Sequence, residues 1–217
     1  MDKELVKKAT TAITNGEGLP PGEELKSYPQ IISLLPKNRP ITDIWGKDFN
    51  WSGIDLKIKT GLWDYYQRIS STKTGLYLHG IAGSGKTTIA VNMGIEWNKM
   101  NHQYQAKAID WIELLQAIKT FPENRSMEQF SMIYNLEHCH NKRLIIFDDF
   151  GAGRYTENAI EVTENIIRRL EKVGVICIFT SNVSPEKIIE LYSDQVWSRI
   201  CGMTVQIEMG GRDWRVR

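Results

Sequence analysis

The stretch "GLYLHGIAGSGKTTIA", residues 75 to 90, decides how the rest of the chain is read. A short apolar run, Leu76 to His79, leads into Gly80-Ile81-Ala82-Gly83-Ser84-Gly85-Lys86-Thr87, which fits G-x-x-x-x-G-K-[ST] in full and opens into an amphipathic helix. Strand, glycine-rich turn and helix in that order form a phosphate-binding loop. Its glycines let the backbone take positive φ and come close to phosphates, so that consecutive N–H groups point inward while the helix N-terminus adds partial positive charge. In that frame Gly80, Gly83, Ser84, Gly85, Lys86, Thr87 and Thr88 are the candidate nucleotide-binding residues. Lys86 is placed to reach the β- and γ-phosphates, and the Thr87 hydroxyl to ligate Mg²⁺.

Working outward, short apolar segments alternate with longer helical stretches, the pattern of a parallel sheet covered by helices on both faces. Strands are expected at 76–79, 105–109, 144–148, 175–180 and 204–208. Helices are expected at about 86–100, 111–120, 157–173 and 185–200. Ile89, Met93, Trp97 and Met100 recur at a three-to-four spacing, which marks a core-facing stripe on the first helix.

A bound nucleotide-metal complex needs a carboxylate from a second strand end. "RLIIFDDF" supplies it, with Leu144 to Phe147 running into Asp148 and Asp149. Asp148, last in the strand, is the candidate acid of the Mg²⁺ shell, and Asp149 is placed to orient or deprotonate the attacking water. A third strand ends in Thr180, Ser181 and Asn182. Asn182 is the expected polar contact to the γ-phosphate or the water, while Ser184, just before Pro185, sits where a helix cap belongs.

The chain has 217 residues, enough for one main α/β domain and an appendage. Its 27 Lys and Arg nearly balance 26 Asp and Glu, so any nucleic-acid binding has to come from a local patch. No apolar run approaches the roughly 18 residues of a spanning helix, and the start "MDKELVKKATT" has no signal-peptide core, so no membrane partner and a cytoplasmic location are expected. Cys139, Cys177 and Cys201 show no CxxC spacing, and His138, Cys139 and His140 are consecutive, so their side chains diverge; neither a disulfide framework nor a metal site is expected. Five of the seven prolines lie between Pro20 and Pro40, which reads as a linker or loose appendage. Trp45, Trp51, Trp63, Tyr65 and Tyr66 follow, and are expected to pack this segment onto the main core.

What is missing argues against the GTPase and ABC ATPase classes and leaves a small-molecule kinase conceivable. No NKxD base-reading motif follows a strand, no LSGGQ-like signature stands between the phosphate loop and the acidic strand, and no Arg-bearing lid of a small-molecule kinase is identifiable. The ordered set "GIAGSGKT", "LIIFDDFGA", "IFTSN", "VWSRI" and "GGRDWR" resembles the AAA+ ATPases of the DnaC/DnaI helicase-loader and IstB transposition-helper group, over roughly Ile44 to Arg217. The resemblance implies a P-loop α/β domain over residues 44–217, with ATP and Mg²⁺ as cofactors. It makes Lys86 and Thr87 the Walker A pair, Asp148 and Asp149 the Walker B pair, Asn182 the sensor-1 residue and Arg199 the arginine finger that reaches a neighbouring subunit's nucleotide. Arg215 matches the group's G-x-x-[WY]-R ending, which implies a contact to nucleotide. The chain departs from most AAA+ proteins in carrying Asp149 rather than Glu, which implies slow hydrolysis, and it ends soon after its last strand, so no C-terminal helical lid is expected.

The same resemblance implies a nucleotide-dependent homo-oligomer that binds single-stranded DNA and a replicative DNA helicase, delivered to DNA during replication initiation. The other member of the group implies a transposition helper that recruits a transposase. Lys119, Phe121 and Arg125 are the basic and aromatic set suited to single-stranded DNA, whereas Arg168 and Arg169 read as a solvated or subunit-facing surface. Residues 1–43, with Leu5, Val6 and Ala9 on one possible helix face, form the small N-terminal appendage to which the family analogy gives the partner. They hold no cysteine or histidine, so a zinc-type attachment like that of DnaI is not expected.

Overall fold

Alternation along the strands builds the two faces of the sheet. In the computed structural model, which describes residues 74–100, 106–120 and 144–210 together with Gly61, Leu62, Tyr65 and Asp213, five strands pair only in parallel: β1 (Gly75–Gly80), β2 (Lys107–Asp110), β3 (Leu144–Asp148), β4 (Ile176–Ser181) and β5 (Thr204–Met209). Their order across the sheet is β2-β3-β4-β1-β5. Between them run α1 (Lys86–Met100), α2 (Trp111–Thr120), α3 (Glu157–Val173), α4 (Pro185–Leu191) and α5 (Asp194–Met203). The expected α/β architecture is therefore present, with strand limits within two residues of those read from the sequence.

Successive side chains of a strand point to opposite faces. Leu76 and Leu78 of β1, Leu144 and Ile146 of β3, and Ile176 and Ile178 of β4 join α1 in one core cluster. Tyr77, Ile145, Phe147, Cys177 and Phe179 face the other way, into a cluster with residues of α2 to α5. Both faces of β3 and β4 are buried, which is why these strands read as unbroken apolar runs. Tyr65 and Leu62 belong to the α1 cluster, as expected of the aromatic segment; Trp45, Trp51, Trp63 and Tyr66 lie outside the described residues.

Two expectations about helices change. α1 is not striped: every residue from Ile89 to Asn98 is buried, Asn92, Glu96 and Asn98 included. Leu62 and Tyr65 share its core cluster, so the helix has apolar neighbours besides the sheet. Met100 of the expected stripe has no described side chain. The helix expected at 185–200 is two helices. Ser184 caps α4 by accepting from the Lys187 N–H at 3.3 Å, with Pro185 in the first turn, as its position suggested. Ser193 then caps α5 by accepting from the Val196 N–H at 3.3 Å, and the break lets Tyr192 turn into the core beside Phe150, with ring centroids 5.9 Å apart.

Candidate nucleotide site

β4 lies between β1 and β3, so the C-terminal ends of three neighbouring strands deliver the phosphate loop, Asp148 and the Thr180–Asn182 turn to one place. Gly80 and Gly83 have φ of 139° and 75°, conformations closed to ordinary side chains. Space forbids a side chain too: a Cβ on Gly80 would run into the Met209 carbonyl of β5. α1 starts at once, with the Ile89 N–H donating to the Gly85 carbonyl at 3.0 Å. The loop thus meets a helix N-terminus as the motif requires.

Lys86 is buried, 5% exposed, and its ammonium donates to the carbonyls of Gly80 at 2.9 Å and Ile81 at 2.6 Å. Ser84 Oγ lies 3.4 Å from the same nitrogen. The charge is held inside the turn formed by the glycines, where phosphates approach in this loop class. Thr88 follows on α1, half-buried, its carbonyl accepting from the Asn92 amide at 2.8 Å.

The acidic side of the site is one connected network. Thr87 Oγ1 donates to Asp148 Oδ1 at 2.9 Å, and Thr180 Oγ1 donates to the same oxygen at 2.5 Å. Thr180 Oγ1 also accepts from the Asp149 N–H at 3.0 Å, and the Asn182 amide donates to Asp149 Oδ1 at 3.1 Å. Asp149 takes φ of 52°, left-handed and uncommon for a residue with a Cβ, though Asp and Asn tolerate it best. The turn is held there by the Phe150 N–H donating to the Thr180 carbonyl at 2.8 Å and by the Phe150 ring against Phe179, centroids 5.1 Å apart. Asp148, Asp149 and Asn182 are therefore brought together as expected.

Thr180 is the site residue that sequence reasoning passed over in favour of Asn182. The alternation of the strand carried the signal: Phe147 and Phe179 are register partners, so Asp148 and Thr180 come next on adjacent strands, at the same height.

Burial pushes the Asp148 carboxyl up from its ordinary range, the Thr180 and Thr87 hydroxyls pull it back, and the charges of Asp149 and Asp110 push it further up. The ordering suits a group that holds a cation, since a buried carboxylate regains in metal coordination what it loses in hydration. Asp148 Oδ1 and Thr87 Oγ1, side by side, form a hard oxygen pair of the kind Mg²⁺ takes when nucleotide and water complete its shell. The residues present fit Mg²⁺-nucleotide, which would supply charge neutralisation at the phosphates.

A carboxyl that ionises less readily folded than unfolded costs stability as pH rises through the interval from its unfolded value to its higher folded value. Asp148→Asn removes that cost. Without ligand the variant is expected to melt at a higher temperature than the parent at pH 7.5. The advantage should shrink as pH falls toward 4; thermal melts at both pH values check it.

Other expected residues lie elsewhere. Arg199, on α5, pairs with Glu171 of α3 and is no part of the network around Asp148. Lys119, exposed near the end of α2, lines a cavity of about 370 Å³ with Ile112, Leu115, Gly153, Arg154 and Val162, between α2 and the loop leading into α3. Phe121, Arg125, Arg215, residues 1–43 and the 138–140 cluster lie outside the described residues. Arg168 is exposed and Arg169 half-buried. No helix among the described residues is long and apolar enough to cross a membrane.

No protein-family model matches the sequence, and no curated protein matches it. Solved structures do resemble it. The DnaC helicase loader aligns with a TM-score of 0.59 at 19% identity, over 71% of this chain and 89% of its own. DnaI aligns with a TM-score of 0.57 at 22% identity, over 76% of this chain and 89% of its own. The replication initiator DnaA bound to AMPPCP and single-stranded DNA aligns with a TM-score of 0.53 at 19% identity, over 72% of this chain and 46% of its own. The chain shares the parallel α/β fold of the DnaC helicase loader, of DnaI and of the replication initiator DnaA.

Proposed function

We propose that this protein binds ATP with Mg²⁺ at the Gly80–Thr88 loop, hydrolyses it slowly, and acts as a nucleotide-controlled loader of a replicative DNA helicase. The observation that carries the nucleotide reading is the Thr87–Asp148–Thr180 cluster beneath the phosphate loop, which unites both Walker elements at one strand end. In this reading Lys86 binds the β- and γ-phosphates, and Thr87 and Asp148 hold the metal. Asp149 takes the proton of the attacking water, oriented by the Asn182 amide. Arg199 serves a neighbouring subunit's nucleotide, which requires release of its pair with Glu171 and therefore assembly.

The loader reading is supported by the fold shared with DnaC and DnaI. Single-stranded DNA, present with DnaA in one similar structure, would run past Lys119, Phe121 and Arg125, and Arg154 lines the cavity that Lys119 lines. Residues 1–43 would hold the helicase, leaving 44–217 as the ATPase domain. The test is co-elution of the full chain with the replicative helicase of its source on a sizing column, with ATP, with ADP and without nucleotide. An ATP-dependent complex that Lys86→Ala fails to form is the expected result. No complex under any condition, while the protein still assembles on DNA with ATP, would overturn helicase loading and favour the transposase-recruiting helper.

A further inference from the structure

β5 runs parallel to β1 with Gly80 opposite Met209. The chain therefore leaves both strands at the same sheet end, side by side, about 4.8 Å apart. Three residues beyond Gly80 stands Gly83 of the phosphate loop; four beyond Met209 stands Asp213. They meet there: a Cβ built on Gly83 would fall on the Asp213 carboxylate, with Oδ2 at 2.9 Å and Oδ1 and Cγ closer still. A carboxylate thus rests against the glycine whose φ of 75° shapes the cradle.

A cradle of backbone N–H groups at a helix N-terminus, with an ammonium inside it, attracts anions of any kind, and a carboxylate carries the same acceptor oxygens as a phosphate at lower charge. We infer that Asp213 is a built-in competitor of the nucleotide phosphates, seated on the loop until Mg-ATP displaces it. The inference rests on the nucleotide reading of the loop. Being tethered by the chain from Met209, the carboxylate competes intramolecularly, at an effective concentration in the millimolar range. The nucleotide then binds only the fraction of molecules whose cradle is open, and its apparent Kd rises by the inverse of that fraction.

The test is Mg-ATP affinity of the full chain against Asp213→Asn and Asp213→Ala, by titration of a fluorescent ATP analogue, at 0.1 M salt and again at 1 M. Both variants are expected to bind about 3- to 10-fold more tightly than the parent, the factor set by the closed fraction. The gain should survive 1 M salt, where the screening length is about 3 Å and only contact interactions persist. Equal affinity, weaker binding, or a gain that vanishes at 1 M salt would overturn the inference, the last because it reports distant repulsion. Failure of parent and variants alike to bind Mg-ATP would bring down the nucleotide reading itself, whereas binding by all three with one Kd removes only the competitor. Thermal melts accompany the titrations, and Asp213→Ala guards against an altered hydrogen bond in the Asn variant.

Discussion

Lys86→Ala protein is expected to bind Mg-ATP on the order of 100-fold more weakly than the parent, while melting as one cooperative unit. The ammonium is enclosed by the loop and donates to two loop carbonyls, so it lies on the inner wall of the cradle, not at its rim. Charge-assisted hydrogen bonds contribute about 1.5–3 kcal/mol each, and loss of one or two to the phosphates accounts for a factor of that size. Alanine also frees the Gly80 and Ile81 carbonyls, which are turned toward a half-exposed loop that water reaches, so the cost to the fold should be small. Circular dichroism melts and a nucleotide titration on the same preparation check both halves. Unchanged affinity would mean that the glycine loop is an ordinary turn.

The second large effect is on turnover. Asp149→Asn is expected to leave Mg-ATP affinity within a factor of two or so and to lower phosphate release by about 10²- to 10⁴-fold, the usual contribution of a general base. The choice of asparagine follows from the backbone. At φ of 52° Asp and Asn are the best-tolerated residues with a Cβ, so the turn and the Thr180 contact to the Asp149 N–H survive, and only the basic carboxylate is lost. Glutamate, commoner in AAA+ proteins, would lengthen the acid in a conformation that long side chains resist. Steady-state phosphate release, read beside the titration, separates the two quantities; equal turnover in parent and variant would take Asp149 out of the chemistry.

What the sequence made legible was the chemistry carried by contiguous residues. The glycine-rich loop announces itself because its glycines, lysine and threonine fall within eight consecutive positions, and "LIIFDDF" because a strand buried on both faces is apolar until it reaches the acidic turn. Features made by tertiary contact were harder to see. Thr180 was overlooked because its role depends on its lying level with Asp148 on the next strand, a register that no local pattern states. The break at Ser193 was missed because 185–200 keeps a helical apolar period across it; what interrupts the helix is the Ser193 cap and a core that takes the Tyr192 ring. Asp213 escaped notice beside Arg215, since only the parallel pairing of β1 with β5 puts the chain's last described residue on the loop. Asn98 is likewise tied to a neighbour outside α1, its side-chain oxygen accepting from the Ala106 N–H at 2.5 Å.

Calorimetric titration of the unaltered protein with ATP, in Mg²⁺ and then in EDTA, decides whether the Gly80–Thr88 loop binds nucleotide. A phosphate cradle with an adjoining Thr87–Asp148 metal pair predicts saturable binding at one site per chain that weakens at least tenfold when Mg²⁺ is removed. No saturable binding, or an affinity indifferent to the metal, would contradict it.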